Sequence, residues 1–148
     1  MTIRTLSVFG RPLGVILAVA GLIDSLYLGW LKVTGNTAAC AGIGDCDAVN
    51  SSRFATIGDV PIAFIGAFAY LVIIILFALE TRRPEWTETI TYMLFAVTLV
   101  GTIYSAYLTY LEVAVIGAIC PFCVVSAILI SVLFVMSISR LRKTFVIG

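Results

Sequence analysis

Four stretches of this chain carry almost no charge, and each is long enough to cross a bilayer. Only Asp24 interrupts the interval between Arg11 and Lys32. No Asp, Glu, Lys or Arg lies between Asp59 and Glu80, between Glu88 and Glu112, or between Glu112 and Arg140. A helix needs about 20 predominantly apolar residues to span the hydrocarbon. The intervals therefore predict transmembrane helices near residues 12–33, 61–79, 90–111 and 120–139. Composition agrees, with 61% of residues hydrophobic and 11% charged, against about a quarter charged in soluble domains. Four spans in 148 residues leave no room for a soluble domain. The expected fold is all-α: a four-transmembrane-helix bundle forming one integral membrane domain over 1–148, with a long outer loop carrying a short lid helix. With a net charge of +1 and no basic patch, nothing points to a nucleic-acid partner.

The N-terminal span could be mistaken for a signal peptide, since Arg4 and Arg11 precede an apolar run containing Ala18-Val19-Ala20. The run continues to Leu31, well beyond a signal core, so it is taken as a span. Basic residues then orient the bundle. Both termini and the loop at 80–89 share one side, with Arg4, Arg11, Arg82, Arg83, Arg140, Arg142 and Lys143; the other side has only Lys32 and Arg53. Cytoplasmic loops are enriched in Lys and Arg, so the termini are predicted to be cytoplasmic and the protein a multi-pass plasma-membrane protein. Cys40, Cys46 and Cys120 fall on the extracytoplasmic side, with Cys123 just within the membrane. Disulfides persist in that compartment. Trp30 and Tyr110 fall near the outer interface and Trp86 near the inner one, as aromatic belt residues do.

The chain also repeats. A shift of 80 places Gly21, Ser25, Tyr27, Leu28, Leu31 and Val33 on Gly101, Ser105, Tyr107, Leu108, Leu111 and Val113, and Cys40 on Cys120. Spans 1–2 and 3–4 then read as parallel repeats, whose Gly and Ser positions permit close helix contact.

The chemistry lies in four cysteines. Cys120-Pro121-Phe122-Cys123 opens the last span, and a C-x-x-C pair can cycle between dithiol and disulfide. The positive end of that helix, with Pro121 in its first turn, favours a thiolate there, and the thiolate is the nucleophile in exchange. Residues three apart share a helix face, so the pair can close if Cys120 sits in the cap. Cys40 and Cys46 lie in the outer loop from Thr34 to Val60. There Asp45 or Asp47 can cap a short helix over Ala48–Ala55, Val49 and Phe54 can turn inward, Gly58 ends the helix and Pro61 starts the second span. A static loop staple and half of a zinc site are the competing readings of the cysteines. There are no histidines, and five residues between Cys40 and Cys46 make a loose knuckle, so no metal is expected.

Two cysteine pairs, Ser51-Ser52-Arg53-Phe54, the series Gly58, Pro61, Gly66, Tyr70, and the Cys120–Cys123 motif together resemble the vitamin K epoxide reductase family, from about Gly21 to Val132. The resemblance implies a helix bundle around a quinone of ubiquinone or menaquinone type. It implies that Cys120 and Cys123 are the active-site pair, with Cys123 nearer the quinone. Cys40 and Cys46 become the pair that relays electrons from a thioredoxin-fold partner. The implied quinone pocket comprises Ser52, Phe54, Ile62, Ile65, Leu108 and Ala127. Animal members carry an asparagine and a tyrosine where this chain has Ile62 and Ala127. The chain thus resembles the prokaryotic branch without a fused thioredoxin-like domain, and the partner is expected to be a separate protein.

The activity this implies is oxidation of thiols by a membrane quinone, driving disulfide formation in exported proteins. The alternatives are vitamin K epoxide or quinone reduction proper, and a non-enzymatic four-span protein with stapled loops. Two acids stand apart. Asp24 lies mid-span, where a charge costs about 2.5–3.5 kcal/mol. Its favoured role is a hydrogen bond to Ser, Tyr or backbone across the bundle, the alternative being proton relay to a quinone. Glu112 is expected to be solvated near the outer surface.

Overall fold

The computed structural model describes residues 3–35 and 44–147, the side chains of 3–9 and 147 excepted. Cys40 lies outside the described residues. The long helices are α1 (Ile3–Thr34), α3 (Ile62–Arg82), α4 (Thr87–Leu111) and α5 (Pro121–Ile147), with a short α2 (Cys46–Ser51) in the first connection. Among the described residues, four helical segments are long and apolar enough to cross a membrane. Helices α1 and α5 outrun the predicted spans because charged residues mark the edge of the hydrocarbon without breaking a helix. Arg140, Arg142 and Lys143 simply continue α5 toward water.

The bundle is two helix pairs. Helix α1 packs chiefly on α3, α4 chiefly on α5, and α1 against α5 joins the pairs. These are the halves related by the 80-residue shift. The repeat glycines hold matching places: a Cβ on Gly21 would lie 2.3 Å from the Tyr70 ring of α3, and one on Gly101 would lie 2.9 Å from Ile130 of α5. Each first helix therefore approaches its second where it lacks a side chain, as small residues allow in membranes. Ala18, Tyr70, Ile73, Phe77, Ile90, Leu94 and Ile130 form the shared core. Ile16, Phe68, Val100 and Ile128 are each more than half exposed, an arrangement suited to lipid contact.

One end of the bundle is held by charge. The Glu80 carboxylate is fully buried, with Arg11 Nε 3.4 Å from one oxygen and Arg140 hydrogen-bonded to the other. The Arg140 guanidinium also lies 5.5 Å from the centre of the Phe77 ring. Residues read from sequence as boundary charges thus tie α1, α3 and α5 together. Twenty residues of α5, roughly 30 Å of helix, separate Arg140 from Cys120.

At the other end the loop folds into a lid. Asp45 caps α2, its Oδ1 accepting from the Ala48 amide at 2.9 Å. The predicted helix over Ala48–Ala55 is replaced by α2 and a separate 3-10 turn at Arg53–Ala55. Ser52 divides them because its backbone is extended. Gly58 does not end a helix either. It sits at φ +61° in the turn of a two-stranded antiparallel hairpin, β1 (Thr56–Ile57) and β2 (Val60–Pro61), a conformation that glycine adopts without steric cost. Pro61 stands just before α3, as its N-cap.

Candidate active site

Glu112 builds the turn that presents the C-x-x-C pair. Helix α4 ends in a wider π turn over Glu112–Ile116, closed by Gly117 at φ +70°. The Glu112 carbonyl accepts from the amides of both Gly117 and Ala118, the latter at 3.1 Å. Its carboxylate then accepts from the Cys120 amide at 3.2 Å. Backbone and side chain of one residue therefore organise the link between α4 and α5. Glu112 is 3% exposed, so the expected solvated position is corrected. The π turn folds the chain back over the carboxylate and closes it off from water.

Cys120 stands immediately before α5, its carbonyl accepting from the Val124 amide at 3.1 Å. Cys120 and Cys123 are both free thiols. The Cys123 thiol hydrogen-bonds to Cys120, and this, with the amides of Cys123 and Phe122, holds the Cys120 thiol below its ordinary value; burial and Glu112 oppose the shift. A lowered Cys120 value is the result the helix terminus led us to expect.

Beside the pair lies a cavity of about 690 Å³. Cys120 and Cys123 both line it, with Ser52, Phe54, Ile62, Ile65 and Leu108 of the predicted pocket. Ala127 does not. On α5 the lining residues are Cys123, Ser126 and Ile130, spaced three and four apart along one face. Ala127, four residues on from Cys123, shares that helical spacing, yet it is not among the residues that line the cavity. The polar groups on the wall are few. Ser52 Oγ is committed to the Val49 carbonyl at 2.7 Å. The Tyr70 hydroxyl reaches the Ser126 carbonyl at 2.8 Å and its Oγ at 3.0 Å. Asp24 is the exception: its Oδ2 is buried without a hydrogen-bond partner, contrary to the bond expected for it. Tyr70, the obvious candidate, is already engaged with α5.

The lid rests on the pair. The Asp45 amide donates to the Ile119 carbonyl at 3.0 Å. Lys32 of α1 hydrogen-bonds the Asn50 carbonyl at the far end of α2. Cys46 is disulfide-bonded and buried in one cluster with Leu28, Val49 and Cys120. Val49 turns inward as expected, and Phe54 reaches the cavity wall. Above the pair, Phe122 packs on Tyr27 with ring centres 5.2 Å apart. Sequence reasoning met Tyr70 only as part of a motif and gave it no role in the site, passed over Ser126, whose only signal was helical spacing, and misjudged Glu112. The signal for Glu112 was its isolation: it is the lone charge between Glu88 and Arg140.

Comparison with known sequences matches residues 12–138 to the vitamin K epoxide reductase family. That range includes all four cysteines and nearly all of the bundle. The chain belongs to the vitamin K epoxide reductase family. A curated relative, thiol-disulfide oxidoreductase LTO1 of Arabidopsis thaliana, is 35% identical over 127 residues, covering 82% of this chain. The chain spans about a third of that relative's length, 34%. In this family member, then, the matched region is a multi-pass membrane bundle in which buried Cys120 and half-buried Cys123 line an apolar cavity.

Proposed function

We propose that this protein is a membrane thiol:quinone oxidoreductase. The observation that carries the reading is the shared wall: the two thiols of a C-x-x-C pair line an apolar cavity inside a membrane-type bundle. The cavity suits a quinone ring. Its volume falls in the range of small-molecule sites, and its lining is mainly apolar with a few polar groups. Ser52, Phe54, Ile62, Ile65 and Leu108 would hold the ring and Cys123 would face it. A bound quinone would supply a two-electron acceptor.

In this reading a reduced thioredoxin-fold protein, carried on a separate chain or elsewhere in a longer one, gives its electrons to Cys40 and Cys46. Thiol–disulfide exchange then passes them to Cys120 and Cys123. Burial of Cys46 against Cys120 supports that order of transfer. The family membership and the name of the Arabidopsis relative support thiol chemistry. The excess of basic residues at the termini supports an extracytoplasmic lid, and disulfide formation in exported proteins is the net result.

The experiment is quinone-dependent oxidation of a dithiol by the purified protein in detergent, followed by two variants. Cys120→Ala leaves Cys123 without its partner thiol and should give a new long-wavelength absorbance when a short-chain ubiquinone is added. Cys123→Ala should give none and should instead trap a mixed disulfide between Cys120 and Cys46. Signals exchanged between the variants would reverse the two roles. No dithiol oxidation by wild type would leave a stapled scaffold.

A further inference from the structure

Oxidation of the C-x-x-C pair has a proton to place, and the site offers two acceptors for it. Closing the Cys120–Cys123 disulfide joins the two sulfurs, sends two electrons to the acceptor and releases whatever protons the thiols hold. Of the two thiols Cys120 gives up its proton more readily, so the last proton of the pair sits on Cys123. The Cys123 side chain hydrogen-bonds both the Cys120 sulfur and the Glu112 carboxylate. If that proton moved to Cys120, the sulfur that must attack next would be quenched, because only a thiolate attacks. The other acceptor leaves Cys120 ready.

We propose that Glu112 is the catalytic base of the dithiol, taking the Cys123 proton as that sulfur is oxidised while its other interactions hold the Cys120 amide in place. The step balances as a transfer: the Cys123 S–H bond breaks, the Glu112 O–H bond forms, and the electron pair stays on sulfur for the quinone. This rests on the proposed quinone reading only for the identity of the acceptor.

Three observations support the assignment. Glu112 is buried at 3% exposure in a membrane segment, where an ionisable side chain is costly and marks function by default. Its carboxylate touches both cysteines of the pair, through the Cys120 amide and the Cys123 side chain. It also lines the cavity, giving the proton a route onward to the reduced acceptor. Among the described residues no basic side chain pairs with it, in contrast with Glu80, which two arginines hold. Among the described residues, the titratable groups facing it are Cys120 and Cys123. Asp24 lies on the same cavity wall, Cys46 of α2 is disulfide-bonded and does not titrate, and Asp45 and Asp47 beside α2 are exposed.

The test uses the reduced protein in detergent, comparing wild type with Glu112→Gln, Glu112→Asp and Glu112→Ala. Closure of the Cys120–Cys123 disulfide is followed across pH with two oxidants, a short-chain ubiquinone and diamide, which needs no quinone site. Glu112→Gln keeps an oxygen to accept from the Cys120 amide but cannot take a proton. It should slow closure by both oxidants about 100-fold near neutral pH, the low end of general-base effects, and recover as pH rises and hydroxide replaces the base. Glu112→Asp should restore part of the rate.

Slowing with diamide in a protein that never reduces ubiquinone would sink the quinone reading and leave this proposal standing. Wild-type rates in Glu112→Gln with both oxidants would overturn it. So would slowing with ubiquinone alone, which would confine Glu112 to the pocket. An equal loss in Glu112→Gln and Glu112→Ala with an unchanged pH profile would also overturn it, marking a clip for the α4–α5 link.

Discussion

Asp45 and Ile119 are joined backbone to backbone, the Asp45 amide donating to the Ile119 carbonyl at 3.0 Å. The lid that carries Cys46 is thereby fastened one residue before Cys120, which has no exposed surface. Gly44 makes the approach possible: at φ +77°, a Cβ there would fall 2.2 Å from the same carbonyl oxygen.

Gly44→Ala should therefore unseat the lid without reaching the core of the bundle. Alkylation of Cys120 by a small maleimide should accelerate at least several-fold relative to the reduced wild type, with the helical circular dichroism unchanged. An unaltered alkylation rate would show that the docking bond does not control access to the pair.

The hydrogen bond from Cys123 gives Cys120 a pH signature. Because that bond, with two helix-terminal amides, lowers the Cys120 value, the thiolate should persist below the usual thiol range of about 8.5. Alkylation of Cys120 in Gly44→Ala, where it is reachable, should stay flat as pH falls through that range and drop only below it. Adding Cys123→Ala removes the largest cause, so the inflection should move back up. An inflection at the same pH in both proteins would mean that the helix terminus alone sets the value.

Glu80→Ala should destabilise the bundle severely. It leaves Arg11 and Arg140 facing an emptied, buried site, and breaking a buried pair typically costs about 3–5 kcal/mol. Arg11 is partly exposed and can rotate toward the interface, which favours the low end. Thermal melting in detergent should fall by many degrees, while any surviving folded protein keeps its Cys120 reactivity, because the site is a bundle length away. A small melting shift would show that the triad is solvated.

Asp24 should separate stability from activity. Its Oδ2 has no hydrogen bond to lose, so Asp24→Asn should melt at or above the wild-type temperature, as when a costly functional group is removed. Quinone-dependent turnover should fall, while dithiol closure by diamide stays the same. A lower melting temperature would instead show that Asp24 holds the fold.

Much of this was written along the chain. Hydropathy is a local property, so the charge-free intervals alone located four spans. Spacing is local too, and it put Cys120 before a helix whose N-terminus favours a thiolate. The 80-residue repeat named Gly21 and Gly101 as contact points, because a missing side chain is visible in sequence wherever helices must close up. Asp45 announced its cap. What the sequence alone could not decide was environment.

A single glutamate reads the same whether water or protein surrounds it. Glu112 and Glu80 were taken for boundary charges, yet one is enclosed by a π turn and the other by two arginines on separate helices. The repeat pairs Glu112 with Lys32, and only folding reveals that each tethers the element carrying a cysteine: Lys32 the lid helix, Glu112 the C-x-x-C turn. Ala127 was assigned to the pocket by resemblance to a pattern, whereas its neighbour Ser126 lines the cavity. Spans, caps and motif were legible because they depend on neighbours in sequence. Burial, proton acceptors and cavity walls arise where distant segments meet, and only the tertiary structure decided them.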